Sequence, residues 1–200
     1  MKKLLKISTV LLTLLISTSY VGLKPHSNEI SIVVIGEFPK KDVEFVRNKL
    51  KKFYNCKVNV LPKIDIPVNC KVKGLQKYSS SKIVKLLNKK FDTVDGKVIA
   101  LTQVDICTDR KLNGKIFKNW GVLGLSILGT KSCVVSNKRM KTNYYGKLEK
   151  VSIHEIGHSL TIPHCESNSR CLMNDAKGKG FKIDKELLWM CKDCKHKIKY

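Results

Sequence analysis

Histidines and a glutamate form the densest group of chemically capable side chains in this 200-residue sequence. His154 and His158 stand four residues apart, so within a helix their imidazoles lie on one face and can share one zinc ion. Glu155 lies beside that face, where its carboxylate can reach a water molecule held by the metal. This H-E-x-x-H spacing favours a zinc-dependent hydrolase over the alternative, two surface histidines on an amphipathic helix.

His164 supplies the third protein ligand that a hydrolytic zinc site needs. It follows His158 by six residues, beyond the expected end of the helix, and Pro163 stands directly before it. Such a site has three protein ligands and one exchangeable position. Because a helix offers only two ligands at this spacing, a chain that turns back must offer the third. We therefore expect His164 to complete the site begun by His154 and His158.

Four cysteines after the histidines form a second candidate metal site. The last two are separated by two residues, a spacing that can hold one zinc ion. Two disulfide bonds are the alternative, since the chain carries a candidate export signal and exported proteins can meet oxidising surroundings. We favour a structural zinc ion held by Cys165, Cys171, Cys191 and Cys194. The other four cysteines have no motif spacing and could be buried thiols or disulfide partners: Cys56, Cys70, Cys107 and Cys133.

Residues 1–23 have the layout of a secretory signal peptide. Three lysines precede a run without charge, Ile7 to Leu23, and Ser19 offers a small residue at a suitable cleavage point. We expect an exported protein, secreted or periplasmic. An uncleaved membrane anchor and a buried N-terminal helix are the alternatives.

The remainder of the chain alternates between strand-like and helix-like patterns. Runs rich in β-branched or alternating apolar residues predict strands over 29–37, 56–61, 97–107, 120–128 and 132–136. Apolar residues at helical spacing predict helices over 40–54, 79–91 and 144–160. This order predicts an α/β fold with a mostly parallel sheet and an antiparallel addition.

The basic composition is weak grounds for a nucleic-acid partner. The sequence has 39 Lys and Arg against 16 Asp and Glu, a formal net charge of +23. Surfaces that read bases or clamp phosphates favour the bidentate arginine side chain, yet only four of the 39 basic residues are arginines. We interpret the excess as a solvated lysine surface and expect no specific nucleic acid. At most it favours acidic substrates or anionic surfaces, and a nucleic-acid-binding protein would show steeply salt-dependent binding.

Together, the histidine and cysteine motifs resemble the archaemetzincins, a metzincin family of zinc metallopeptidases. The family pattern is H-E-x-x-H-x-x-G-x-x-H-C, then a further cysteine and a methionine, and C-x-x-C after 17 more residues. This sequence matches the pattern from His154 to Cys194, with Cys171-Leu172-Met173 supplying the second cysteine and the methionine.

The resemblance implies peptide-bond hydrolysis. His154, His158 and His164 would bind the catalytic zinc ion, and Glu155 would be the general base acting on a zinc-bound water. Met173 would form the Met-turn, a hydrophobic floor under the site. We expect a monomer whose partner is a peptide or protein substrate, with membrane contact only if the N-terminal segment stays uncleaved.

The resemblance also implies a metzincin-type architecture in two parts. Residues 25–160 would form an N-terminal α/β subdomain that ends in the active-site helix. Residues 161–200 would form a small C-terminal subdomain in which a structural zinc ion ties a helix over about 184–197 onto the active-site loop. With the catalytic ion, this makes two zinc ions per chain. The substrate would lie along an antiparallel edge strand, for which we nominate residues 120–128.

Two departures from the family pattern stand out. Five residues rather than four separate Cys165 from Cys171, which a loop absorbs at little cost. Thr161 replaces the glycine at which metzincin chains leave the helix. If this position needs a positive φ, a β-branched residue there costs about 1–3 kcal/mol. The alternative that Thr161 leaves open is a non-catalytic zinc-binding fold whose basic surface binds an anionic partner.

Overall fold

The computed structural model describes residues 28–176 and 180–198. The candidate signal peptide, residues 1–23, lies outside the described residues and stays a prediction. Within the described part of the chain, no helix has the length and apolar character needed to cross a membrane.

The described elements alternate in type along the chain much as the sequence patterns predict. In order they are β1 (Glu29–Ile35), α1 (Lys40–Tyr54), β2 (Lys57–Val60), a 3-10 turn (Val68–Cys70), β3 (Tyr78–Ser79), α2 (Ser80–Lys90), β4 (Lys97–Thr102), β5 (Ile106–Leu112), β6 (Lys115–Val122), β7 (Gly124–Ser126), β8 (Ser132–Ser136), α3 (Tyr144–Ser159), α4 (Gly180–Lys185) and α5 (Lys192–Lys195).

A five-stranded sheet in the order β2-β1-β4-β8-β7 forms the centre of the fold. The strands β2, β1, β4 and β8 are parallel to one another, and β7 runs antiparallel to β8 at the edge of the sheet. The predicted α/β fold, with a mostly parallel sheet and an antiparallel edge strand packed on helices, is therefore confirmed.

Both faces of this sheet are covered, which explains why its central strands are almost continuously apolar. Successive side chains of a strand point to opposite faces. In β4, Ile99 joins the core beneath α1 and α3, whereas its neighbours Val98 and Ala100 join the core beneath α2.

Helix α3, which carries the histidines, is fixed against α1 by buried polar contacts as well as by apolar packing. The Tyr54 hydroxyl donates to the carbonyl of Ile153 at 2.7 Å. The buried Asp42 carboxylate accepts hydrogen bonds from the hydroxyls of Tyr144 and Tyr145 at 2.6 and 3.1 Å. These contacts hold the N-terminal and middle turns of α3 in place relative to the sheet.

The predicted strand over 97–107 is wrong as a single element. The chain bends after Thr102, whose hydroxyl donates to the Ile35 carbonyl and accepts from the Val104 amide. Beyond this bend, β5 enters a second sheet of three strands in the order β3-β5-β6. An apolar run cannot reveal this change of sheet, because both halves are buried and β-branched.

The β5–β6 hairpin, which the sequence analysis did not identify, turns at Asn113-Gly114. Both residues have positive φ, 47° and 76°, as a two-residue hairpin turn requires. The predicted strand over 120–128 also divides, because β6 ends at Val122 and β7 starts two residues later in the other sheet.

The predicted single helix over 184–197 is wrong as well. The segment contains the end of α4, an extended stretch and α5. Backbone bonds pair the stretch with the earlier cysteine loop: Leu187 N–H donates to Arg170 O, and Leu172 N–H donates to Trp189 O. The extended backbone brings Cys191 to Cys171, so pairing with the cysteine loop replaces the single helix that the resemblance implied.

Candidate metal centre and active site

The three histidines meet at one point on the surface of α3. Their ligating nitrogens all lie within 4.8 Å of one another, and His158 Nε2 and His164 Nε2 are 3.3 Å apart. Around a tetrahedral zinc ion with Zn–N bonds near 2.05 Å, the ligating nitrogens stand about 3.3 Å from each other. The donors His154, His158 and His164 therefore fit a single zinc ion.

Backbone carbonyls orient the two helical histidines. Nδ1–H of His154 donates to Leu172 O, and Nδ1–H of His158 donates to Ile162 O, each at 2.7 Å. A proton on Nδ1 leaves the Nε2 lone pair free for a metal. Burial lowers the pKa of His154 to about 3 and that of His158 to about 4, so both rings are neutral, the form that binds zinc.

The helix ends in a tight turn that returns the chain to the site. Thr161 has a φ of 71°, its N–H donates to His158 O, and the Ile162 N–H donates to Gly157 O. This is a Schellman motif with a β-branched residue at the position where glycine is usual. Of the two possibilities that the sequence left open at this turn, the structure has the positive φ with its strain, and His164, the expected third ligand, still reaches the other two histidines.

Glu155 lies against the edge strand of the main sheet. The residue is 7% exposed. Burial raises the pKa of its carboxyl to about 8, against an opposing hydrogen bond from the Ser126 backbone N–H. A Cβ atom added at Gly124 would lie 2.6 Å from Glu155 Oε1, so only glycine allows this approach. The sequence analysis did not identify Gly124 or Ser126; a glycine within a strand-like run is the one signal of close approach.

Met173 lies directly beneath α3. A Cβ atom added at Gly157 would lie 2.6 Å from Met173 Sδ, so the glycine within H-E-x-x-H makes room for the thioether. Met173 is fully buried, and its carbonyl accepts a 2.7 Å hydrogen bond from the N–H of Cys165. Met173 thus packs under the helix that carries the histidines, and its role as a Met-turn floor stays a prediction.

The C-terminal cysteines form a compact cluster without sulfur–sulfur bonds. Sγ atoms of Cys165 and Cys191 are 3.6 Å apart, and those of Cys171 and Cys194 are 3.8 Å apart. A disulfide requires about 2.05 Å, whereas four thiolates around one zinc ion stand about 3.8 Å from each other, given Zn–S bonds near 2.3 Å. The geometry fits zinc and not two disulfides.

The other four cysteines are apart from this cluster. All are buried, and none forms a disulfide within the described residues: Cys56, Cys70, Cys107 and Cys133. Burial raises the pKa of the Cys56 thiol to about 11, the direction expected of an unreactive thiol in an apolar core.

The two sites share one stretch of chain. Cys165 of the cysteine cluster follows His164 directly, and its carbonyl accepts a 2.9 Å hydrogen bond from Nδ2 of Asn174. The cysteine cluster thus fixes the loop that presents the third histidine.

A cavity of about 600 Å³ contains the histidine site. Its walls come from the β5–β6 hairpin, β7, α3 and the segment after Met173. Arg110 of β5 reaches across the cavity to the segment after Met173, where its Nη2 donates to both carboxylate oxygens of Asp175 at 3.3 and 3.2 Å. Glu186 also lines the cavity. The sequence offered no signal for these three residues, because their positions depend on tertiary packing and follow no motif spacing.

Sequence comparisons point to one class of protein. Residues 15–200 match the model of peptidase family M54. An archaemetzincin of Methanocaldococcus jannaschii is 32% identical over 181 residues, which cover 84% of this chain and 92% of the relative. An archaemetzincin of Archaeoglobus fulgidus is 30% identical over 162 residues, covering 79% and 91%.

Solved structures agree with the sequence comparisons. The crystal structure of the Archaeoglobus fulgidus archaemetzincin complexed with malonate superposes with a TM-score of 0.69 at 29% identity, covering 85% of this chain and 99% of that chain. The archaemetzincin of Methanopyrus kandleri, at 20% identity, has the same TM-score of 0.69 and covers 88% and 95%, which shows a shared fold.

Proposed function

The chain belongs to peptidase family M54, the archaemetzincins, and is a zinc metallopeptidase; from this premise we propose that it hydrolyses peptide bonds with Glu155 as general base. The proposed ligands of the catalytic zinc ion are His154, His158 and His164. One observation carries the proposal: three imidazoles converge on one point of the cavity that also contains the Glu155 carboxyl group.

Zinc in this position supplies Lewis acidity, which polarises the scissile carbonyl and acidifies a water molecule. The protein's own residues orient the ligands and transfer the proton. The carbonyls of Leu172 and Ile162 hold the imidazoles in the binding tautomer. A Glu155 carboxylate oxygen takes a proton from the attacking water and then passes it to the amine nitrogen that leaves. Burial raises the pKa of this carboxyl to about 8, which makes its carboxylate a stronger base for taking the proton from water.

The edge strand β7 supports a position for the substrate. Among the described strands it pairs only with β8, and it borders the cavity beside Glu155. An extended peptide could add to its free edge by backbone hydrogen bonds. We propose that the substrate lies along β7, which narrows the nominated segment 120–128 to Gly124–Ser126 and its immediate neighbours.

The cysteine cluster is the proposed second, structural zinc site. Its Sγ separations support a closed tetrahedral site with four thiolate ligands and no position for water. The proposal therefore counts two zinc ions per chain, one catalytic and one structural.

The non-catalytic alternative loses its support from Thr161. The threonine adopts the positive φ that the turn requires, and His164 Nε2 still lies 3.3 Å from His158 Nε2. The departure from the family's glycine has an energetic cost without displacing the ligand.

The experiment that tests the function is the substitution Glu155→Gln in the zinc-loaded protein. Loss of the general base should lower kcat for peptide cleavage by roughly 10²- to 10⁴-fold, with the zinc content unchanged. Glu44→Gln, on the exposed face of α1, is the matched control and should keep full activity. Retained cleavage in the Glu155→Gln variant would refute the assigned role.

A further inference from the structure

The active-site cavity contains a second buried carboxylate, Glu186, which the proposed mechanism does not use. Glu186 directly follows α4, is 6% exposed, and lines the same cavity as the histidines and Glu155. Within residues 28–176 and 180–198, its carboxylate receives no hydrogen bond and forms no ion pair. The residue is largely buried, but its carboxylate oxygens still reach the water of the cavity. Because the carboxylate has no protein partner among these residues, a cationic group of a ligand can take the place of that water.

The charged groups near Glu186 are already engaged or act only at a distance. Lys150 of α3 donates to the carbonyls of Ile183 and Asp184 at 2.8 and 3.2 Å. Asp175 is paired with Arg110. Burial is the largest influence on the Glu186 carboxyl and raises its pKa to about 7; Asp175 also raises it, while Lys150 and Lys182 lower it.

The surroundings of Glu186 suit a side chain with a long aliphatic part and a charged end. Val151 of α3 and Ile183 of α4 line the cavity on two facing elements and are themselves buried. Lysine and arginine side chains bury their methylene groups against such residues while their charged ends reach a polar partner. A carboxylate is the natural partner for that end, above all for the planar guanidinium of arginine.

We propose that this part of the cavity is a subsite for a lysine or arginine side chain of the substrate, with Glu186 as the carboxylate that binds its charged end. The inference rests on the proposed peptidase function and deepens it by naming a substrate class: peptides with a basic residue beside the scissile bond. It runs against the net charge of +23, which by itself would favour acidic substrates. The local carboxylate decides selectivity here because the contact is close and desolvated.

The test uses peptides that differ at one position beside the scissile bond: lysine, arginine, norleucine or glutamate, placed on either side in turn. For the wild-type protein we expect kcat/KM for lysine and arginine to exceed that for norleucine by roughly 10- to 100-fold on one side of the bond. Glu186→Gln, which preserves shape and removes the charge, should reduce this preference to within about threefold. Glu44→Gln, the same change on α1, should leave the preference intact.

A binding measurement separates this inference from the function on which it rests. The zinc-loaded Glu155→Gln protein should bind the lysine peptide more tightly than the norleucine peptide in fluorescence anisotropy, and the added Glu186→Gln change should remove the difference. Preferential binding with no cleavage by the wild type would support the subsite and refute the peptidase mechanism. Cleavage without a basic preference would overturn the subsite, even if the Glu186→Gln variant failed to fold. A basic preference that survives Glu186→Gln would overturn it too.

Discussion

At the residue scale, the turn after the active-site helix holds a threonine in a conformation that favours glycine. Thr161 has a φ of 71°, where its branched Cβ meets the backbone. The contacts of the turn keep it there, because two backbone hydrogen bonds close the Schellman motif. The strain is local, and its removal should leave the ligands in place.

We therefore expect Thr161→Gly to raise the free energy of unfolding by about 1 kcal/mol, since relief of the left-handed strain outweighs the extra freedom of glycine in the unfolded chain. Chemical denaturation of the zinc-loaded protein measures this change. Thr93→Gly is the matched control: Thr93 is exposed and has no positive φ, so the same substitution should destabilise or have little effect. Equal effects of the two substitutions would contradict strain at Thr161.

A second residue-scale prediction concerns Glu186 and pH. Its pKa of about 7 means that the carboxyl is mostly protonated at pH 6 and mostly ionised at pH 8, whereas a substrate lysine stays charged throughout. The ratio of kcat/KM for lysine and norleucine peptides should therefore rise with pH across this interval. Because both peptides use the same catalytic groups, the pH dependence of those groups cancels in the ratio. The Glu186→Gln variant should give a flat ratio, and a flat wild-type ratio would contradict the prediction.

The catalytic motif was readable from sequence, whereas much of its surroundings was not. His154, Glu155 and His158 are fixed relative to one another by helix geometry, so their spacing alone predicts their arrangement. Glu186 stands in a lysine-rich segment two residues after Asp184, with no motif spacing around it, and its burial depends on tertiary packing. Information of that kind resides in tertiary contacts rather than in local spacing.

At the element scale, periodicity predicted the three long helices and most strands of the N-terminal part, whereas the single C-terminal helix that the family resemblance implied is wrong. Helices α1, α2 and α3 have an apolar face of their own. Residues 184–197 lack an independent core, and their backbone follows the pairing with 170–172 that brings Cys191 to Cys171. This pairing leaves no room for a single helix over the segment.

The edge position of β7 gives a prediction about the substrate backbone. If an extended peptide pairs with β7, only every second backbone N–H of the peptide faces the strand. N-methylation at successive positions of a good substrate should therefore lower kcat/KM in an alternating pattern, by about tenfold at the sensitive positions. The scan is its own control, since insensitive positions carry the same added methyl group. Equal losses at all positions, or none, would refute pairing with β7.

At the scale of the whole molecule, the two proposed zinc sites are mechanically linked. His164 belongs to one site and Cys165 to the other, and the N–H of Cys165 donates to the carbonyl of Met173 beneath α3. The loop from Cys165 to Cys171 has few alternative conformations, because the cysteine cluster holds both of its ends. We therefore expect that an ordered cysteine cluster is needed to hold the three histidines of the proposed catalytic site in place.

The variant Cys194→Ser tests this link. It removes one thiolate ligand without touching the histidine loop directly, so we expect the structural zinc ion to be lost and the affinity for the catalytic ion to fall. Loss of a structural site should destabilise the fold by several kcal/mol, which in a chain of this size lowers Tm by roughly 10 °C.

Zinc per chain, measured by elemental analysis, should drop from two to one or fewer, with peptide cleavage reduced in proportion to the catalytic zinc that remains. Cys56→Ser is the matched control, because Cys56 is a buried thiol outside both sites, and this variant should keep two zinc ions. Two zinc ions in Cys194→Ser would contradict the four-thiolate site. Loss of the structural ion with unchanged affinity for the catalytic one would instead show that the histidine loop holds its shape without the cysteine cluster.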